Sequence, residues 1–323
     1  MIDSLIHAYT PFLIWVGIGL LISKFTPDKI FKWLGNGLYW VGVPLQILVL
    51  ARHTDLSHGV LIPGVAIGVL LLSLVLALCI WQGLQWFKSQ QQQPDVANSE
   101  LAIDIPFMRA SLGSFILATI LGNTGFVGLT LTQVLTSPTN NDWAVLFSVT
   151  NNVVGTYGIA VLIASYFGKS HTDNHWWIQL RDLITVPSLW TFFLGLSTQF
   201  IELPAIVESG LEQAVWVVIA LALVLVGLRL RTITGWKSLK IASVASVLKV
   251  FIVPILVGLG ATFLGVTGEH RLILVLMSGT PTGLSVLILA EVYDLDRNLL
   301  ASSIALTFVG LFIALPFWLA WFG

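Results

Sequence analysis

Charge is what this sequence has least of. Only 10% of its 323 residues are Asp, Glu, Lys or Arg, against roughly a quarter in ordinary water-soluble domains, which excludes a fold bathed in water on every side. The formal net charge of -1 leaves no basic footprint, so nucleic acid is excluded as a partner. Cysteine is reduced to Cys79 alone, which rules out an internal disulfide and any thiolate-built metal centre. Catalytic signatures are missing too. There is no HExxH, no GxSxG and no pair of membrane-depth aspartates, so an intramembrane enzyme would need a constellation outside those patterns. No enzymatic activity, cofactor or metal site is expected. A cleavable signal also lacks its pattern: Lys24 and Lys29 follow the first apolar run instead of basic residues preceding it, and the run reads as a retained helix.

What the chain has is apolar length. Hydrophobic residues make up 56%, arranged in runs long enough to cross a hydrocarbon core of about 30 Å as helices. Ten spans are read at 5–23, 30–50, 59–81, 107–135, 143–167, 182–199, 205–228, 240–265, 272–292 and 298–321, giving an all-α polytopic membrane protein. Basic residues alternate between the connections. Lys24, Lys29, Lys32, Lys88, Arg109, Lys169, Arg181, Arg229, Arg231, Lys237, Lys240 and Arg297 fall on one side, and only Arg52 and Arg271 on the other. By the positive-inside rule the richer side is cytoplasmic and both termini lie outside. Trp33, Trp86, Trp143, Trp176, Trp177, Trp236, Trp318 and Trp321 stand near span ends and are read as interfacial anchors. The polar stretch KSQQQQPDVANSE, residues 88–100, is read as a flexible loop.

Two spans are interrupted. Residues 121–130, LGNTGFVGLT, place Gly122, Gly125 and Gly128 beside Asn123, Thr124 and Thr130 in the fourth span. Residues 278–286, SGTPTGLSV, place Pro281 among Thr280, Thr282, Gly283 and Ser285 in the ninth. Gly-Leu-Thr at 128–130 is echoed by Gly-Leu-Ser at 283–285. Because five spans separate the two, the second copy enters the membrane from the opposite side, as in inverted five-helix repeats. Irregular backbone survives in lipid only where protein or a wet cavity surrounds it, and matched interruptions in two halves point to a transporter's midplane site. Each half-helix that starts after a break directs free N–H groups and a partial positive charge into the gap, which suits an anion. The competing reading is close helix packing through small residues.

Other polar residues lie at the same depth. Lys249, in SVLKVFIVPIL, costs at least roughly 3 kcal/mol at a bilayer centre. It is read as facing protein or water and attracting an anion, against the alternative of snorkelling to the interface. On the fifth span Asn152 and Thr156 share a face at i, i+4, with Tyr157 adjoining and Asn151 pointing elsewhere; interhelical bonding is the alternative role. Asp296 is read as the N-cap of the tenth helix, not as part of a metal site with Glu291 and Asp294. Pro44, Pro187 and Pro254 are candidate kinks.

These stretches, with YWVGVPLQILVLA on the second span and PTGLSVLILAEVYDLDRNLLASSIALTFVGLFIALPFW across the ninth and tenth, resemble the auxin efflux carrier family. That family includes the plant PIN-formed auxin exporters and bacterial carriers associated with malate or malonate, within the bile-acid-symporter-like superfamily. The resemblance implies a homodimer of ten-helix subunits in the plasma membrane, each with crossed, broken helices 4 and 9. Scaffold helices would occupy 1–56 and 169–236, and a moving domain 57–168 and 237–323. By position, Asn123 matches the family's asparagine before the first break, Pro281 the proline of the second, and Lys249 the basic residue of the eighth helix. Thr130 stands where the family usually has proline, and the third helix lacks the carboxylate that partners such a lysine in plant members.

The function expected is efflux of a small organic anion by an elevator motion. Its carboxylate would be held by Asn123, Thr124 and the half-helix after Pro281, with Gly128, Thr130, Thr280, Thr282 and Ser285 lining the site. Lys249 would supply positive potential, and Asn152 and Tyr157 secondary contacts. A sodium- or proton-coupled importer of an organic anion or bicarbonate is the alternative, and a receptor or intramembrane enzyme stands lower.

Overall fold

The computed structural model describes residues 10, 14–52, 61–91, 105–168, 187–230 and 238–323. The described residues form helices α1 (residues 14–22), α2 (residues 28–52), α3 (Leu61–Gln91), α4 (Ile105–Ile120), α5 (Thr124–Leu135), α6 (residues 141–167), α7 (Pro187–Ser197), α8 (Ala205–Leu230), α9 (Leu239–Phe263), α10 (Gly268–Ser278), α11 (Ser285–Val292) and α12 (Arg297–Phe322). No strand occurs among them, only one isolated antiparallel bridge, Gly122 to Thr282. Among the described residues, six stretches are long and apolar enough to cross a membrane: Trp33–Arg52, Leu61–Trp86, Pro138–Phe167, Ala205–Leu225, Leu239–Phe263 and Arg297–Phe322.

The fourth and ninth spans are not continuous rods. α4 ends at Ile120 and α5 begins at Thr124; α10 ends at Ser278 and α11 begins at Ser285. The sixteen described residues of α4 reach about 24 Å at 1.5 Å each. Within α2, α6 and α9 the helix opens into wider, π-type turns at Leu38–Gly42, Asn151–Ala160 and Leu248–Ile252, and α5 starts with one at Thr124–Gly128. Two of these have an evident cause. Pro44 and Pro254 follow directly, and each lacks an amide and crowds the carbonyl four residues back, which a widened turn accommodates. Pro187 is the first described residue of α7.

Packing gathers around α12, whose Leu299, Phe308, Leu311 and Trp318 are buried in one large cluster with residues of α3, α4, α9 and α10. A second cluster joins Val43 and Ile47 of α2 to Trp143 and Phe147 of α6, Val253 of α9 and Met277 of α10. Outward faces stay apolar, as Leu71, Val75, Trp216, Val217 and Phe317 show, which fits lipid as the surrounding solvent.

Several expectations change. Trp33, Trp86 and Trp321 are exposed, but Trp143 and Trp318 are core residues: Trp143 stacks on His270 with centroids 4.4 Å apart, and Trp318 lies against Gly279, where any side chain would strike its ring. The third helix runs on to Gln91, because Lys, Ser and Gln tolerate helix well once it leaves the apolar layer. The remainder of that polar stretch, 92–100, lies outside the described residues. So do Lys169, Trp176, Trp177, Arg181, Arg231, Trp236, Lys237, residues 5–9 of the first span and 182–186 of the sixth.

The two arginines on the sparsely basic side have local work. Arg52 donates to the carbonyls of Thr198 (2.6 Å) and Ile201 (2.7 Å), just past the end of α7. Arg271 donates to the carbonyl of Phe322 (3.3 Å) at the end of α12. Both satisfy carbonyls at a helix C-terminus, where a cation is favoured.

Candidate functional site

The chain crosses itself where the two spans break. The amide of Asn123 donates to the carbonyl of Pro281 (2.7 Å), and the amide of Gly283 donates to the carbonyl of Leu121 (3.1 Å). These reciprocal bonds leave none of those four groups orphaned in a region where an unpaired backbone group costs several kcal/mol. The approach is so close that only glycine fits at 122: a methyl group there would collide with the Thr280 hydroxyl and lie 3.2 Å from Lys249 Nζ. Thr282 pins the second arm. Its amide donates to Thr307 Oγ1 (3.0 Å) on α12, and its hydroxyl donates to the carbonyl of Ala118 (2.8 Å) on α4.

Lys249 is buried beside this crossing, 2% exposed, so it does not snorkel. Its Nζ donates to the carbonyl of Ile120 at 3.4 Å, the last residue of α4 and the negative end of that helix. An ammonium carries three donors, which leaves capacity for a guest.

Asn123 caps the start of α5. Its side-chain oxygen accepts from the Phe126 amide at 3.3 Å, and its carbonyl accepts from the amides of Val127 and Gly128. Its side-chain nitrogen is buried without a partner among the described residues, a donor at the positive end of a helix. The Thr124 hydroxyl accepts from Ser148 Oγ and from Asn151 Nδ2, both at 3.3 Å.

The other candidates divide. Thr280 and Pro281 belong to the crossing itself; the Thr280 hydroxyl donates to the Met277 carbonyl (3.1 Å). Ser285 is half-buried at the first turn of α11. Gly128 faces Met277 and the methyl of Thr280 instead of open space, and the Thr130 hydroxyl donates to the carbonyl of Phe126 (2.5 Å), so both serve packing. Asn152 donates back to the Ser148 carbonyl (2.9 Å) yet lies beside Gly125, about where a side chain there would reach it. Tyr157 is half-buried further along α6.

Two more residues enter here: Asn151, read above as pointing elsewhere, and Gln46. Asn151, not Asn152, reaches Thr124. Ser148 and Asn151, three residues apart, share one face of the helix, and that is the face that meets Thr124. Gln46 of α2 is fully buried with both amide atoms unpartnered among the described residues. A lone amide in the apolar run VPLQILVLA was a usable signal, since polar groups at membrane depth are expensive.

No family model matches the chain. Over 216 residues it is 26% identical to a protein of Methanocaldococcus jannaschii described as an uncharacterized transporter, a stretch that covers 64% of this chain and 67% of that protein.

Proposed function

We propose that the chain is a secondary membrane transporter that moves a small organic anion by alternating access. The observation that carries this reading is the reciprocally bonded crossing of two interrupted spans, with the unpaired Asn123 amide and Lys249 converging on it. The likeness to a transporter and the apolar helices support the coarser part, membrane transport. The substrate carboxylate accepts from Asn123 Nδ2 and from the first amides of α5, with protonated Lys249 lowering the cost of bringing a negative charge to mid-membrane. Thr124, Asn151 and Asn152 complete the first arm, and Ser285 the second.

The arrangement around the crossing supports an inverted repeat. The reciprocal bonds flank the antiparallel pairing of Gly122 with Thr282, 160 positions apart (282 − 122), a local twofold relation of the kind an inverted repeat would place there. The same offset approximately relates two clips at opposite ends. Ser111, near the start of α4, donates to Asp296 ahead of α12 (2.9 Å), and Glu269, at the start of α10, accepts from Ser137 and Asn140 ahead of α6. The helices from α3 to α6 and from α9 to α12 then form one moving body, and α1, α2, α7 and α8 the scaffold of a homodimer in the plasma membrane, with both termini outside.

Flux of radiolabelled malate and indole-3-acetate into proteoliposomes tests the reading. The native chain should carry at least one of them, and Lys249→Ala should lower that flux about tenfold or more, the loss expected for one charge-assisted contact. Because Lys249 already places a cation at the carbonyl end of α4, flux should persist when sodium is replaced by choline. Vesicles holding the native chain that behave like empty ones would remove the substrate assignment.

A further inference from the structure

Gln46 is a polar group that the crossing does not use. It is 0% exposed, and neither its oxygen nor its nitrogen has a partner among the described residues. Burying an unmade amide costs about 1–3 kcal/mol per group, and a leucine of nearly the same volume would avoid that cost.

Its direction follows from the helix. At about 100° per residue, Gln46 stands midway between Val43 and Val49 around α2. Val43 faces the first arm of the crossing, 3.6 Å from where a side chain on Gly125 would begin. Val49 belongs to the cluster that holds Val215 and Ile219 of α8. Between these faces lies Phe126, which packs both on the cluster of Val43 and Ile47 and on that of Leu38 and Val218. Phe126 is also the residue whose amide Asn123 caps. Gln46 therefore lies one turn along α2 from Val43, between the face that meets α5 and the face that carries Val49.

Resting on the carrier reading above, we infer that Gln46 is a specificity-determining residue. Its carboxamide pairs with a hydrogen-bonding group on the anion, a hydroxyl, second carboxyl or ring N–H, at the end remote from the carboxylate. A site built to bond such a group rejects analogues that lack it, because its own polar atoms are then left unpaired.

The test uses the full chain with matched probes, 3-hydroxybutyrate against butyrate and indole-3-acetate against 1-naphthaleneacetate. Ligand-induced thermal shift in detergent and flux in proteoliposomes are both measured for the native chain and Gln46→Leu, with Gln46→Met as a second variant of matched length. The native chain should favour the bifunctional member of at least one pair, and both variants should erase about tenfold of that preference. Without ligand the variants should melt higher by roughly 2 °C or more, the unmade bonds being gone. Undiminished preference in the variants, no preference in the native chain, or variants that melt lower each overturns the assignment. If the native chain binds with the stated preference but carries neither probe, the carrier reading fails while the role of Gln46 in recognition stands.

Discussion

Asn123 divides its side chain between two tasks, and the two can be separated chemically. The oxygen holds the start of α5 through the Phe126 amide, whereas the nitrogen has no partner. Asn123→Asp keeps the capping oxygen, since Asp and Asn cap equally well, but replaces the free donor by negative charge. The expected outcome is a melting temperature close to the native one with anion flux abolished, read from thermal denaturation and proteoliposome uptake of the same preparation. Asn123→Ala should lose both, with about 1 kcal/mol of stability gone with the cap. A flux-competent Asn123→Asp would mean that the nitrogen does not meet the substrate.

The same residues show what the sequence disclosed. Asn123, Thr124, Pro281 and Lys249 were legible because each is costly in an apolar run unless something compensates. Pairing was less so. The echo of 128–130 in 283–285 suggests an offset of 155 (283 − 128), but the arms pair at Gly122 and Thr282, 160 apart (282 − 122), because hydrogen-bonded register follows backbone direction and not side-chain likeness. Thr130, which stands where the resembling family usually has proline, does not mark the break of the fourth span. The break falls earlier, at 121–123, where Gly122 and the Asn123 cap suffice, and Thr130 sits in ordinary helix. Trp143 and Trp318 were misread for a related reason: nearness to a span end says nothing about which way a ring faces.

Among the elements, the clip at the start of α10 has a pH signature. Glu269 accepts from the Ser137 amide (3.0 Å), the Asn140 side chain (2.6 Å) and the Ser137 hydroxyl (2.8 Å). Those bonds, the backbone one foremost, hold its carboxyl below the usual 4.5. A carboxyl whose value is lower folded than unfolded adds stability that is complete above about pH 4.5 and fades as pH falls through the folded value. Thermal melts of the native chain should therefore lose stability on acidification below that point, and Glu269→Gln should be less stable at neutral pH with a flatter acid limb. Identical acid limbs in the two proteins would assign the loss to other carboxyls. The partner clip at Ser111 and Asp296 also caps α12, since Asp296 accepts from the Leu299 amide (3.0 Å), as its position before a helical run suggests.

For the molecule as a whole, the proposed motion slides α5 past α2. Val43 of α2 packs beside Gly125 of α5, a contact between the two bodies. In a Cys79→Ser background, Val43→Cys combined with Gly125→Cys should cross-link on oxidation, arrest flux, and recover on reduction. Continued flux in the fully oxidised protein would show that these helices do not move apart during transport. The reciprocal bonds at the crossing carry a mechanical corollary. In the proposed carrier Asn123 would offer its side chain to the guest while its backbone amide holds Pro281, so a tug on the cargo would reach the opposite arm through one peptide unit. Fastener and sensor would then be one residue, and both arms would register occupancy together.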